Sequence, residues 1–538
     1  MYAALAVQLW EQQQRRQLSS GGTASSSAPT LECTDACSSD DESRPWAELP
    51  ACLLTRLLQK CPSGDAASLR GVCRHWKEVH DDTQQALAPA VLDIEAMKSV
   101  APRVHSLDLT RTINASDPYQ IAALSKMPDL ASVNMKACTD VPFSSLAQIR
   151  TLTSIDLSSC QVDNAALAHL GASKSPLASL LLDGCSGFGL AGLTALLQGQ
   201  PSLKVLSLTG CEQVDDEAAA CLGKLTSLET LGLSGCTQLT ASGLESLANL
   251  TALRSINLSF CKALEGQAVA SSLSQLTGLQ HLDLSHCSKL SDHSLSLLSS
   301  LSGLRSLNVS LCSWLSDSSL KLLADSLTLL RSLELAWCDQ LSDTGLHAVV
   351  GSLSGLQFLN ITGCPRITDS GVRALAKLPG LTRLRLSHCE GLTALAVQHT
   401  GSMRALTELS LAGLAGVDAS SLCHLSRLKH LEELQVGGCK GVNTAAAASL
   451  ARLTSLRRLS APRCLHLSDA CVRELSSLPN LESLDVRKCR RFGSAALLSL
   501  FARLPSLQSV DARQCFQLNP DKAILTEKAA HKNINLVL

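Results

Sequence analysis

The side chains with the most distinctive chemistry in this chain are its thiols: 538 residues carry 23 cysteines. Clustered thiolates bind zinc, paired thiols close disulfides, and a thiolate beside a base attacks carbonyls. Fifteen of these cysteines are not clustered but spaced, at 138, 160, 185, 211, 236, 261, 287, 312, 338, 364, 389, 439, 464, 489 and 515. The steps are 25 or 26, apart from 22 at the start and 50 between Cys389 and Cys439, where Leu414 fills the middle. A metal site wants grouped ligands such as C-x-x-C, and 15 is odd for pairing. The spacing therefore predicts a structural column of small polarizable side chains, each filling space beneath a turn. Cys33 and Cys37 form an isolated C-x-x-x-C in a polar tail, too weak a pattern to make a site.

A second pattern with chemical promise is "GFGLAG", residues 187–192, a G-x-G-x-x-G between a strand-like and a helix-like run. That is the local setting of a dinucleotide fingerprint, but the acidic residue expected ~20 positions later is missing around Ser207 to Thr209. It reads as a periodic turn. No P-loop, H-E-x-x-H or G-x-S-x-G occurs, so no enzyme activity, cofactor or metal is expected.

The totals exclude further classes. Lys plus Arg is 46 and Asp plus Glu is 47, so bulk charge points to neither nucleic acid nor an anionic membrane. No apolar run approaches the ~18 residues that span a bilayer. The start lacks an early basic region and breaks its apolar run at Gln8, which is unlike a signal peptide. Many free cysteines without a secretory signal suit a reducing compartment, cytoplasmic or nuclear. With 45% hydrophobic but 3% aromatic residues, the core must come from Leu, Ala, Val, Ile and Cys.

The elements that place the cysteines follow from one stretch, "RSLELAWCDQLSDTGLHAVV", residues 331–350. With Leu330 it reads L-x-x-L-x-L-x-x-C, and 17 such units run from residue 104 to 515. L-x-L alternation predicts a short strand with its leucines on one face. "LSDTGL" then offers Ser and Asp to a helix start, and Leu at three- and four-residue spacing continues the helix. One unit cannot bury its own apolar face, so neighbours must stack. This pattern resembles the leucine-rich repeat family, in its cysteine-containing subclass. The resemblance implies an α/β, right-handed solenoid with parallel strands on the concave side and helices on the convex side.

Ahead of the repeats, residues 1–44 read as a disordered tail with room for a short helix, and "SSGGTASSSAPT" within it cannot bury a core. Residues 45–82 carry two apolar stripes, Leu49 to Leu58 and Leu69 to Trp76, around a Pro-Ser-Gly-Asp turn. So few residues make a marginal core, and a partner would explain their apolar face. The run Leu-Pro, a leucine helix, then "SLRGVCRHW" resembles an F-box, with a polar connection at Pro62 to Ala67 that departs from the usual pattern. The resemblance implies docking on the Skp-type adaptor of a cullin–RING (SCF-type) ubiquitin ligase, through Leu49, Pro50, Leu53, Leu57, Val72, Cys73 and Trp76. The repeats would then recruit a protein substrate. The bland alternative is a helical cap on the first repeat. Residues 83–103 are left as a connector, 104–518 as the solenoid and 519–538 as a tail or cap.

One position bears on what the repeats hold. The residue before each cysteine is commonly glycine (Gly210, Gly235, Gly363, Gly413, Gly438), but Phe260, His286, Leu311 and Trp337 interrupt the habit in succession. At strand spacing this makes a ridge roughly 15 Å long. Either it opens onto the concave side, where aromatics suit a binding hot spot, or each residue tucks under a neighbouring loop. Phe358 extends the ridge, and Asn257, Asp283, Asn308, Glu334, Asn360 and Arg385 add polar groups beside it, with Arg383 and His388 in the later repeats. Arg383, Arg385, Arg458, Arg463, Arg487, Lys488 and Arg513 form a basic set that suits phosphate or acidic motifs, unless Glu433, Asp485 and Asp511 neutralise it.

Overall fold

The computed structural model describes residues 86–94, 97 and 103–538. The F-box-like stretch, with Leu49, Pro50, Leu53, Leu57, Val72, Cys73 and Trp76, lies outside the described residues. The chain divides into two compact units, one ending at Leu203 and one beginning at Lys204.

Each L-x-L triplet forms a three-residue strand. In Ser332–Glu334 the central Leu333 is buried and its neighbours are half-buried, because alternate strand residues face opposite ways. Within the first unit, Ala86–Leu87, Ser106–Asp108, Ser132–Asn134, Ser154–Asp156 and Ser179–Leu181 pair in chain order and parallel. The second unit holds fourteen parallel strands in chain order, from Val205–Ser207 to Asn535–Val537. Among the described residues, the strands from Ser106–Asp108 to Ser509–Asp511 number one for each of the 17 units read from the sequence. Two strands were not anticipated. Ala86–Leu87 lies in the expected connector, and Asn535–Val537 follows a helix, Lys522–His531, to pair with Ser509–Asp511.

Parallel neighbours require a crossover, and a helix supplies it in most units. Asp343–Ser352 buries Gly345, Leu346 and Val349. Its N-cap is Ser342, whose hydroxyl accepts from the Thr344 N–H at 3.2 Å. The aspartate beside the cap does more than complement a helix dipole. Asp317 accepts from the backbone N–H of Ser342, 2.9 Å, in the next unit. Asp343 accepts likewise from Thr368, and Asp369 from Thr393, each at 2.9 Å. The ladder locks register between units, since a one-residue slip would orphan each carboxylate. Burial alone would raise the Asp292 carboxyl, but the hydroxyls of Ser316 and Ser319 hold it below the usual carboxylate value.

The glycine-rich turn "GFGLAG" obeys the same rule. The N–H groups of Gly189 and Gly192 donate to Asn164 Oδ1, at 2.8 and 3.1 Å, so a neighbouring repeat occupies the donors that a phosphate would need.

Candidate functional site

Each strand runs into a tight turn and then the cysteine. The thiol of Cys338 donates to the carbonyl of Val309, one unit back, at 3.3 Å, and Cys364 does so to Leu335 at 3.2 Å. The column thus fills space, as its spacing predicts, and also satisfies a buried carbonyl that alanine would leave bare. Burial pushes the Cys338 thiol up to about 12 and that of Cys389 up to about 11. Such thiols are not nucleophiles near neutral pH. The cysteines among the described residues are free, and no His, Cys, Asp or Glu group there could hold a metal ion.

The residue before the cysteine has a different physics. Its backbone is left-handed throughout: φ is +73° at Gly210 and Gly235, +72° at Gly363, and +74° at Gly413 and Gly438. Glycine is the default there because it has no Cβ to clash. Phe260, His286 and Trp337 hold the same turn at +60°, and Leu311 at +58°. For a bulky residue this costs of order 1–2 kcal/mol. The habit of glycine was visible in the sequence, and the positive φ is its cause.

The four side chains stand in file, because their strands pair in register through Ser255↔His281, Ser306↔His281 and Ser306↔Ser332. They do not tuck under loops: Phe260 is 44% exposed, Leu311 39% and Trp337 46%. The rings of Phe260 and His286 stack at 3.8 Å between centroids. The Trp337 indole lies on Gly363, where a Cβ would collide with it, and reaches the His388 ring at 6.2 Å. Phe260, His286 and Leu311 line a hollow of about 460 Å³ with Lys262, Ser288 and Lys289.

Phe358 does not extend the exposed row. It is 6% exposed, with the Arg383 and Arg385 guanidinium carbons 4.6 and 5.2 Å from its ring centroid. Its strand position places it under the long cationic side chains of the next unit, so it supports them.

The polar groups beside the row are also more committed than the sequence suggested. Asn308 Oδ1 accepts from the Ser310 N–H, and its amide donates to Asp283, both at 3.0 Å. Asn360 is buried, accepts from the Thr362 N–H at 3.1 Å and donates to Glu334 at 3.2 Å. Asn257 and Asp283 make the same bond to the N–H two residues on, at 2.9 Å. These are Asx turns that hold the left-handed residue in place. The signal for them was an Asn or Asp recurring three residues before it.

The basic set is mostly neutralised. Arg385 pairs with Glu408 at 2.8 Å, Arg458 with Glu433 at 2.7 Å, Arg487 with Asp485 at 2.8 Å and Arg513 with Asp511 at 2.7 Å. The Glu433 carboxyl, which burial would raise, is held below its usual value by Arg458 and Gln435. Arg463 and Lys488 make no ion pair among the described residues. They flank a hollow of about 440 Å³ that His388, Gly438 and Pro462 also line.

Residues 192–445 match the family model described as "Leucine-rich repeat region", and residues 148–170 the one described as "Leucine Rich repeat". No curated protein matches the chain. Among solved structures, an internalin from Listeria monocytogenes is 20% identical, with a TM-score of 0.38 over 68% of this chain and 88% of that one. A Leptospira interrogans LRR protein is 18% identical, with 0.44 over 78% and 98%. A chain of the Rad7 and Elc1 complex in yeast is 19% identical, with 0.46 over 78% and 91%.

Proposed function

This chain is a leucine-rich repeat protein, and from that premise we propose that it is a non-catalytic receptor that captures another polypeptide on the row Phe260, His286, Leu311 and Trp337. The observation that carries this reading is the left-handed backbone under four large, exposed or half-exposed side chains. Five glycines of the same unit make that turn without steric cost, so the bulky residues are retained against a local penalty. Strain kept at exposed aromatic positions is the mark of a binding surface. Stacking of Phe260 on His286 and of Trp337 toward His388 also orders the row in advance, which lowers the entropy lost on docking.

The finer reading adds the F-box resemblance. "SLRGVCRHW", with the leucines that precede it, supports docking of residues 45–82 on a Skp-type adaptor, so that the captured protein sits beside a ubiquitin-charged partner at high effective concentration. A second reading is a repeat scaffold with no link to ubiquitin, favoured by family matches that fall wholly inside the repeats. Adaptor pull-down separates the two. Retention by the full chain, lost on deletion of residues 45–82, supports the ligase role; no retention by the full chain removes it and leaves the scaffold.

A further inference from the structure

The hollow beyond Trp337 combines an uncovered glycine with cationic side chains on its rim. Twice in this unit a flat side chain from one repeat lies against the left-handed glycine of the next: Trp337 on Gly363, and His388 on Gly413. The next position does not repeat the pattern. Gly413 has no side chain to cover Gly438, which is exposed, and a Cβ built there meets nothing closer than the Gly413 backbone at 3.8 Å. Pro462 closes the far side by packing on Gly437, and the His388 ring forms the near wall. The rim carries Arg463, Arg487 and Lys488. Arg487 is held at both nitrogens by Asp485, at 2.9 and 2.8 Å, with Asp511 3.5 Å away. The nearby carboxylates are thereby engaged, and the exposed cations Arg463 and Lys488 have no ion pair among the described residues.

We propose that this slot binds an aromatic side chain of an extended, acidic peptide segment of a protein partner, with the ring over Gly438 between His388 and Pro462 and the flanking carboxylates on Arg463 and Lys488. The inference rests on the protein-binding reading above but on residues largely outside the Phe260–Trp337 row. Charge complementarity selects an acidic partner, and the ring-on-glycine packing inside the protein selects the aromatic anchor. A ring at this place also reaches the cationic rim, which adds cation–π attraction.

Fluorescence anisotropy of the full chain with a labelled Glu-Asp-Trp-Glu-Asp peptide tests it. Expected are saturable, salt-sensitive binding and at least tenfold weaker binding by peptides with Trp replaced by Ser or with Gln and Asn for the acids. Arg463→Gln with Lys488→Gln weakens binding at least tenfold. Gly438→Phe blocks it with only a modest drop in melting temperature, the left-handed penalty that Phe260 already bears in the same turn. Peptide binding by the slot variants is read separately from capture of the whole partner by Trp337→Ala, so failure of the slot and failure of the row are told apart. Equal binding of the Trp-free acidic peptide, preference for a phosphotyrosine peptide, or full binding by the double variant overturns the proposal.

Discussion

Two columns run side by side through the second unit, one residue apart, and they obey opposite rules. The cysteine column is nearly invariant and buried. The column before it favours glycine sterically, through its left-handed backbone, and yet varies from glycine to tryptophan. Where the interior decides, as at Cys312, Cys338 and Cys364, volume and a carbonyl in need of a donor leave few solutions. Where the surface decides, as at Leu311 and Trp337, the backbone cost is fixed and the side chain is free to serve something outside the fold. The difference separates what keeps the repeats stacked from what the stack can hold.

The largest effect that would break the comparison is alkaline. The folded thiols of Cys261 and Cys439 are pushed up to about 11 and those of Cys287, Cys338, Cys464 and Cys489 to about 12, against an ordinary value of 9.0. A raised folded value gives stability that is complete below pH 9 and lost as pH climbs toward 12, because only the unfolded chain releases those protons. Each thiol contributes about 1.4 kcal/mol per pH unit in that window, so the urea midpoint under reducing conditions should collapse between pH 9 and 11 and stay flat from 6 to 8. A midpoint unchanged at pH 10.5 would show that the column does not exclude water.

Placing the same side chain at both columns comes next. Cys338→Leu overfills the core and removes the bond to Val309, and should cost about 2–4 kcal/mol by urea denaturation. Trp337→Leu, one residue earlier, should cost under about 1 kcal/mol, since Leu311 already makes that turn. Equal costs would erase the distinction. On the binding side, Trp337→Ala should weaken partner capture by about 2 kcal/mol, roughly 30-fold in Kd, while the melting temperature moves little. The smallest effect is Leu311→Gly: relief of the left-handed backbone should leave stability equal or up to about 1 kcal/mol higher, with weaker partner binding. A clear loss of stability would mean that Leu311 serves the fold.

How much of this was legible in the sequence depends on whether an interaction stays within one repeat. The L-x-L triplets and the spacing of Cys138 to Cys515 gave the strands and their order, because period-2 burial and an iterated unit are local patterns. The glycine habit before the cysteine was equally visible and marked the left-handed turn. What stayed hidden runs between repeats. The Asp317 to Ser342 bond spans neighbours, whereas "LSDTGL" by itself offers its Ser and Asp only to the start of its own helix. Phe358 read as exposed, because its cover comes from Arg383 and Arg385 in the following strand. Arg463 and Lys488 read as part of one basic set with Arg458 and Arg487. Only the geometry separates the two cations without an ion pair from those already matched by Glu433 and Asp485.

The central claim, that the bulky left-handed row contacts another polypeptide, is tested most directly by site-specific photo-crosslinking in the cell of origin. A benzophenone amino acid is placed in the full chain at 311 and, in a second variant, at 235, with crosslinked products identified by mass spectrometry. The account predicts a discrete protein adduct at 311 that is absent at 235 and is suppressed when Trp337→Ala is added. Identical adducts at both positions, or none at 311 in a folded chain, would contradict it.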